Sequence, residues 1–253
     1  MSDSKVAIVT AAAGAGIGAA IARQLARDGL HVVITDLHEG RMTKLSEELS
    51  QLSGLECPWY KLDVSDHAEV EAVLGAVAER FGRIDVLVNN AGWSKIEPVA
   101  EMSLETWQKC LAIDLTGTFS CMRFALPHMI AAGSGAIVNI SSISGWEMTT
   151  EHGAAYSAAK AGVMALTRVA AAENGKHGIR VNAIAPGLIY NDFLRRIYPD
   201  AFFDSYLEKK AFVNRLGRPE DVAHLVSFLV DDDKAGYITG EIYGVSGGVH
   251  PHA

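Results

Sequence analysis

Apolar and polar positions along this chain keep switching between two periods. Val6 to Thr10 is a short apolar, β-branched run, and Ala11 to Gly18 is dominated by small residues. From Ala19 to Asp28 the apolar positions recur at helical spacing, with Ile21, Ala22 and Leu25 on the inner face. The sequence predicts strand, tight loop, helix, and then repeats the pattern. His31 to Thr35 is a second strand ending at Asp36, Arg41 to Leu52 an amphipathic helix, and Trp59 to Leu62 a third strand running into Asp63 and Val64. Glu69 to Phe81 is a helix closed by Gly82, and Ile84 to Val88 is a strand leading into Asn89, Asn90, Ala91 and Gly92. Leu104 to Met129 reads as one long helix, Ala136 to Ile140 as a strand ending in Ser141 and Ser142, and Tyr156 to Gly175 as an alanine-rich helix. Ile179 to Ala185 ends in Pro186 and Gly187, and Glu241 to Val245 supplies a seventh strand. Strands alternating with helices at this spacing predict βαβ crossovers and a Rossmann-type doubly wound parallel α/β sheet with helices on both faces.

In such a sheet, residues at the carboxyl ends of the strands are the ones placed to bind ligands. Glycines in the loop before the first helix let the backbone approach a pyrophosphate, whose charge is favoured at a helix N-terminus. Asp36 lies about 20 residues beyond Gly16, where a dinucleotide fold wants an acid for the adenosine ribose hydroxyls. A carboxylate there repels a 2′-phosphate, which favours NAD over NADP, although Arg41 is close in sequence. Asp63 has a competing reading as the cap of the next helix, a role Ser65 or Asp66 fills equally well. The amides of Asn89 and Asn90 can fix neighbouring backbone segments, with a solvated turn as the alternative.

Tyr156 and Lys160 are four residues apart, slightly more than one helical turn, so the phenol and the ammonium share a face. A free phenol has a pKa of about 10 and a nearby cation favours its ionised form. Bringing such a group to neutrality takes roughly 4 kcal/mol of differential stabilisation, within reach of an ammonium and a positively charged cofactor ring in a shielded cleft. The pair is a candidate proton donor and acceptor.

Composition narrows the partners. The 253 residues are 49% hydrophobic, enough for a full core, and one domain spanning 1–253 is expected. A net charge of −8 argues against nucleic acid or an anionic membrane as a partner. Cys57, Cys110 and Cys121 are too few and scattered for a disulfide framework or structural zinc and suggest core packing in a reducing compartment. The nine histidines form no close ligand cluster, and His250 and His252 flank Pro251 in a tail expected to be exposed, so no metal is expected. Met1 to Lys5 has no targeting pattern, and no apolar run reaches the ~18 residues that span a bilayer. A cytoplasmic protein is expected.

The ordered set Gly16-Ile17-Gly18, Asp63-Val64, Asn89-Asn90-Ala91-Gly92, Ser142, Tyr156 with Lys160, Pro186-Gly187 and Tyr237-Ile238-Thr239-Gly240 before Gly247-Gly248 resembles the classical short-chain dehydrogenases/reductases along nearly the whole chain. The resemblance implies that Tyr156 exchanges the proton, Lys160 lowers the phenol's pKa and holds the nicotinamide ribose, and Ser142 hydrogen-bonds the substrate oxygen. It places Asp36, Asp63 and Val64 at the adenosine half of the cofactor. Asn90 and Gly92 fall at its middle and Pro186 to Ile189 at the nicotinamide. It also implies a homotetramer and a helical lid over the substrate at about 188–213.

Three departures from the family pattern stand out. Ala12 occupies the position of the first loop glycine, with Thr10 one residue too far upstream and Gly14 inside an apparent insertion. Asp114 stands where the family has an asparagine that helps hold a proton-relay water, and an ionised carboxylate accepts but does not donate hydrogen bonds. The stretch from Ser142 to Tyr156, with Trp146, Glu147 and His152, is one residue long. Between 188 and 213 lie Tyr190, Phe193, Tyr198, Phe202, Phe203, Tyr206 and Phe212, rings that either enclose an apolar alcohol or ketone or pack the segment onto the body. Arg195, Arg196, Lys209 and Lys210 read as a solvated face or as partners for a carrier's phosphate. The reading is an NAD(H)-dependent enzyme interconverting a secondary alcohol and a ketone on a 3-oxoacyl thioester, cyclic or steroid-like skeleton. The alternative is a non-catalytic dinucleotide-binding sensor or scaffold of the same fold.

Overall fold

The computed structural model describes residues 4–147, 152–190 and 199–251. Seven parallel strands, β1 (Val6–Thr10), β2 (His31–Asp36), β3 (Trp59–Lys61), β4 (Val86–Asn89), β5 (Gly135–Ile140), β6 (Ile179–Pro186) and β7 (Ile242–Val245), form one sheet in the order β3-β2-β1-β4-β5-β6-β7. All registers are parallel, with Ile8 opposite Val33 on one side and Leu87 on the other. The expected doubly wound Rossmann-type sheet is therefore what forms. The order reverses at β1, which lies between β2 and β4, and this opens a crevice at the carboxyl ends of those strands.

Alternating side chains divide the core between the two faces. Ala7, Val9, Val32, Ile34, Val86 and Val88 face α1 (Ile17–Arg27), α2 (Glu39–Ser53) and a helix at Pro219–Val230. Val6, Ile8, Val33, Leu87 and Ile137 face α3 (His67–Phe81) and the helices between β4 and β6. Ile21, Ala22 and Leu25 are fully buried, as the helical period requires. Asp66 caps α3, accepting from the N–H groups of Ala68 and Glu69, which resolves the choice between it and Ser65.

The helix expected over Leu104 to Met129 is not uniform. It consists of α4 (Leu104–Leu111), a π-helical turn at Ala112–Thr116 and α5 (Gly117–Ala132). α6 (Ala154–Asn174) starts two residues before Tyr156. α7 (Asp200–Lys209) follows β6, and α8 (Pro219–Val230), an element the periodicity reading passed over, begins with proline at its first turn and Glu220 and Asp221 behind it.

Arg180 on β6 ties α8 to the sheet. Only 7% exposed, it donates to the Leu229 carbonyl at 2.6 Å and to Asp232 Oδ1 at 2.8 Å, and Asp232 also pairs with Lys5 at 2.6 Å. Arg180→Met keeps the apolar stem and removes the fork. Because the exposed Asp232 carboxylate stays hydrated, the expected cost is about 1–2 kcal/mol. Urea unfolding should report it as a lower midpoint at unchanged slope.

Candidate active site

The turn after β1 is built by side chains arriving from β4. Thr10 Oγ1 accepts hydrogen bonds from the N–H groups of Asn90 (2.9 Å) and Ala91 (3.1 Å). Asn90 Nδ2 donates to the carbonyls of Thr10 (3.0 Å) and Ala11 (3.1 Å). Gly18 makes this approach possible: a Cβ there would lie 2.5 Å from Asn90 Nδ2 and 2.7 Å from the Ala11 carbonyl. Ala11 adopts φ 51°, and Ala12, at the expected glycine position, is buried with its N–H donating to Thr35. Gly16 caps α1 without a side-chain hydrogen bond, and no acid occupies the first turn, so the helix presents its N–H groups and positive dipole end uncompensated.

Asp36 closes this loop from β2. Oδ2 accepts from the Ala13 N–H at 3.0 Å, and Oδ1 from those of Leu37 (2.7 Å) and His38 (3.1 Å). Beyond it lies a shallow hollow lined by Leu37, His38, Glu39, Gly40, Arg41 and Lys44. Asp63 folds back on its own turn, accepting from Ser65 N (2.9 Å) and Oγ (2.6 Å), and Val64 packs against the start of α5 at Gly117.

Ser142, Tyr156 and Lys160 come from the end of β5 and the first turns of α6. Ser141 Oγ locks the two elements by donating to the Lys160 carbonyl at 2.8 Å. Lys160 Nζ donates to the Ile140 carbonyl at 3.0 Å and lies 5.4 Å from the Tyr156 ring centroid, so the shared helical face survives folding. Ser142 Oγ accepts from the Ser144 N–H at 3.1 Å and shares a 3.0 Å contact with Ser144 Oγ. When Ser144 donates in that contact, the Ser142 hydroxyl proton is left to point elsewhere.

The sequence did not reveal what Lys160 pairs with. The π turn carries Asp114, fully buried, to the same place: Oδ1 is 3.1 Å from Lys160 Nζ, and Oδ2 accepts from the Trp93 N–H at 2.8 Å. Oδ1 meets the ammonium at ion-pair distance but outside hydrogen-bond geometry. Burial pushes the Asp114 carboxyl above the ordinary carboxylate range, against the pull of Lys160 and the Trp93 N–H. For Lys160, burial works to lower the pKa, but the facing charges of Tyr156 and Asp114 outweigh it and the net shift is upward. Gly92 leaves room for the pair, since a Cβ there would sit 2.9 Å from Asp114 Oδ1. A second interaction that sequence spacing does not reveal lies deeper: Asn89 donates to Asn139 (2.8 Å) and Asn139 to Thr167 (3.0 Å), pinning β4, β5 and α6 together.

Pro186 ends β6, and Ile189 is buried and bridges to Gly217. In the aromatic segment, Phe203 is buried and meets Tyr190 and Phe202 edge-on at 5.3 and 5.5 Å, while Phe212 is exposed. Phe193, Tyr198, Arg195 and Arg196 lie outside the described residues, as does the side chain of Lys209. A cavity of about 640 Å³ runs between Leu188, Tyr206, Val213 and β7, and neither Ser142 nor Tyr156 is among its described lining residues. His250, expected in an exposed tail, is half-buried, its ring stacked 5.6 Å from Trp146. The His152 ring lies 6.1 Å from that of Tyr156.

Every assigned residue thus lies at the carboxyl edge of the sheet. An uncapped helix N-terminus after β1, an acid ending β2 and a tyrosine–lysine helix after β5 gather at the edge where doubly wound sheets bind their ligands. A family model described as enoyl-(acyl carrier protein) reductase matches residues 11–250. The chain belongs to the classical short-chain dehydrogenases/reductases, oxidoreductases that act on CH–OH groups. It is 43% identical over 96% of its length to cis-4-hydroxycyclohexanecarboxylate dehydrogenase of Sinomonas cyclohexanicum, covering 96% of that protein. It is 41% identical over 96% of its length to (5R,7aS)-5-hydroxy-7a-methyl-1-oxo-2,3,5,6,7,7a-hexahydro-1H-indene-carboxyl-CoA reductase of Mycobacterium tuberculosis, covering 92% of it. The crystal structure of gox2181 superposes with a TM-score of 0.91 at 35% identity, over 98% of this chain and 96% of that one. Among the described residues, no helix is long and apolar enough to cross a membrane.

Proposed function

We propose that this protein is an NAD(H)-dependent dehydrogenase or reductase that interconverts a secondary alcohol and a ketone on an apolar, cyclic skeleton. The observation that carries the chemistry is the Lys160 ammonium, buried and held 5.4 Å from the Tyr156 ring. The residues fit a dinucleotide: the uncapped start of α1 faces a loop from which Gly18 excludes a side chain, and Gly16, Ile17 and Gly18 would cradle the pyrophosphate. Asp36, with Asp63 and Val64, would hold the adenosine half. Asn90, Gly92 and Lys160 would border the middle and the ribose, and Pro186 and Ile189 the nicotinamide. A bound nicotinamide supplies the hydride acceptor in oxidation and the donor in reduction.

In the oxidising direction Tyr156 accepts the hydroxyl proton of the substrate, and Ser142 donates a hydrogen bond to the same oxygen from the hydroxyl that Ser144 leaves free. Reduction runs the same contacts backwards, with Tyr156 returning the proton to the carbinol oxygen. On this reading the Asp36 carboxylate would repel a 2′-phosphate, which favours NAD even though His38, Arg41 and Lys44 line the adjacent hollow. The cyclic skeleton is supported by the names of the two relatives above and by the ring cluster of Tyr190, Phe202 and Phe203 in the segment read as a lid. Exposed apolar residues on the helices before and after β5, Leu104, Phe119 and Val169, suit burial between copies in a homotetramer.

Tyr156→Phe is expected to lower kcat by at least about 100-fold while NADH binding, followed by its fluorescence, persists. Cyclohexanol carboxylates and bicyclic ketones assayed at 340 nm supply the substrate panel, and undiminished turnover in the variant would sink the mechanism. Asp36→Ala is expected to raise kcat/KM with NADPH relative to NADH by about tenfold. An unchanged ratio would reject the ribose assignment.

A further inference from the structure

The family asparagine position holds an aspartate here, and the structure shows where its charge goes. Asp114 is buried on the π turn, with Oδ1 at ion-pair distance from Lys160 Nζ (3.1 Å) and Oδ2 accepting from the Trp93 N–H (2.8 Å). An asparagine cannot serve both positions. With its oxygen toward Trp93 its amide would face an ammonium, and with its oxygen toward Lys160 its amide would face an N–H. The carboxylate is therefore matched to this arrangement. It also changes the electrostatics: a neutral residue would leave the Lys160 charge whole at Tyr156, whereas an ionised Asp114 makes the lysine half of an ion pair.

We propose that Asp114 is a positioning residue whose buried carboxylate holds Lys160 against the end of β5 and offsets part of the positive charge that lies 5.4 Å from the Tyr156 ring, so that proton exchange at Tyr156 is governed by a three-membered charge cluster. This rests on Tyr156 being the proton-exchanging group. The remaining groups around Asp114 do not compete for that role. The Cys110 thiol on α4 lies 3.9 Å from Oδ2 and donates to the Trp93 carbonyl at 3.2 Å. Burial and the neighbouring carboxylate push it up to about 12, so it stays a neutral thiol. Lys109, also on α4, is directed onto the Trp93 ring, 4.7 Å from its centroid. The loop after β4 and the end of β5 contribute backbone groups, the Trp93 N–H and the Ile140 carbonyl. From α6, Lys160 itself and Tyr156 bear on the pair.

Removing the negative charge should make the phenolate easier to form. The direct readout is phenolate absorbance at 295 nm during pH titration, taken as the difference between each protein and its Tyr156→Phe counterpart, with no substrate or cofactor added. The Asp114→Asn and Asp114→Ala midpoints are both expected to fall below that of the unsubstituted protein by about one pH unit, the size of one partly screened charge. Lys160→Met, which leaves Asp114 as the unbalanced charge, should move the midpoint up. A role confined to packing would leave the midpoint in place in Asp114→Asn and merely lower its melting temperature. A midpoint that stays put or rises in both Asp114 variants overturns the proposal. Retained turnover in Tyr156→Phe would instead overturn the mechanism on which it stands, so the two failures are told apart.

Discussion

An ammonium that is 3% exposed must be paired where it lies, because an uncompensated charge in a protein interior costs several kcal/mol. Lys160 is that charge, and much of the local architecture serves it. The Ile140 carbonyl, at the last position of β5, accepts from the ammonium. Ser141 fastens the Lys160 backbone to the same strand end, which fixes α6 in register with the sheet. What remains is charge compensation, and it comes from Asp114 on the other side of the cleft.

That compensation explains the break in the helix between β4 and β5. A π turn accommodates one extra residue and displaces the side chains within it from the path a regular helix would give them, which is why such turns gather at functional sites. Here the turn carries the buried Asp114 into contact with both Trp93 and Lys160, and Thr118 fixes it by donating to the Asp114 carbonyl at 2.8 Å. The turn, the residue after Gly92 and the first turns of α6 are thereby held by one carboxylate.

How much of this could be read beforehand depended on whether the signal was local. β1, β2 and β6 are buried on both faces, so continuous apolar runs betray them, and each ended within about a residue of its expected position. Tyr156 and Lys160 were legible because one helical turn converts sequence spacing directly into proximity. The Asp114 to Lys160 pair was not, since 46 positions and a crossover separate the two residues and no periodicity encodes that distance. A π turn has no compositional signature either, so a uniform helix was the natural expectation. α8 is a different case: Pro219, two acids behind it and Val222, Ala223, Val226 and Leu229 at helical spacing are a local signal that makes this helix legible in the sequence. His250 was assigned to solvent from its place near the end of the chain, and only tertiary packing puts Trp146 against it.

The loop after β1 shows how a departure from a family pattern can be absorbed. An alanine at φ 51° is strained by roughly 1 kcal/mol where a glycine would not be. The Ala11 carbonyl, together with that of Thr10, receives the Asn90 amide, and Thr10 Oγ1 in return receives the N–H groups of Asn90 and Ala91. Four hydrogen bonds between the ends of β1 and β4, each contributing about 1 kcal/mol, exceed the strain. Their geometry depends on Gly18, whose missing Cβ is the space that the Asn90 amide fills. The glycine that matters is therefore the one opposite Asn90, while Ala12 is buried next to the bend that Ala11 makes.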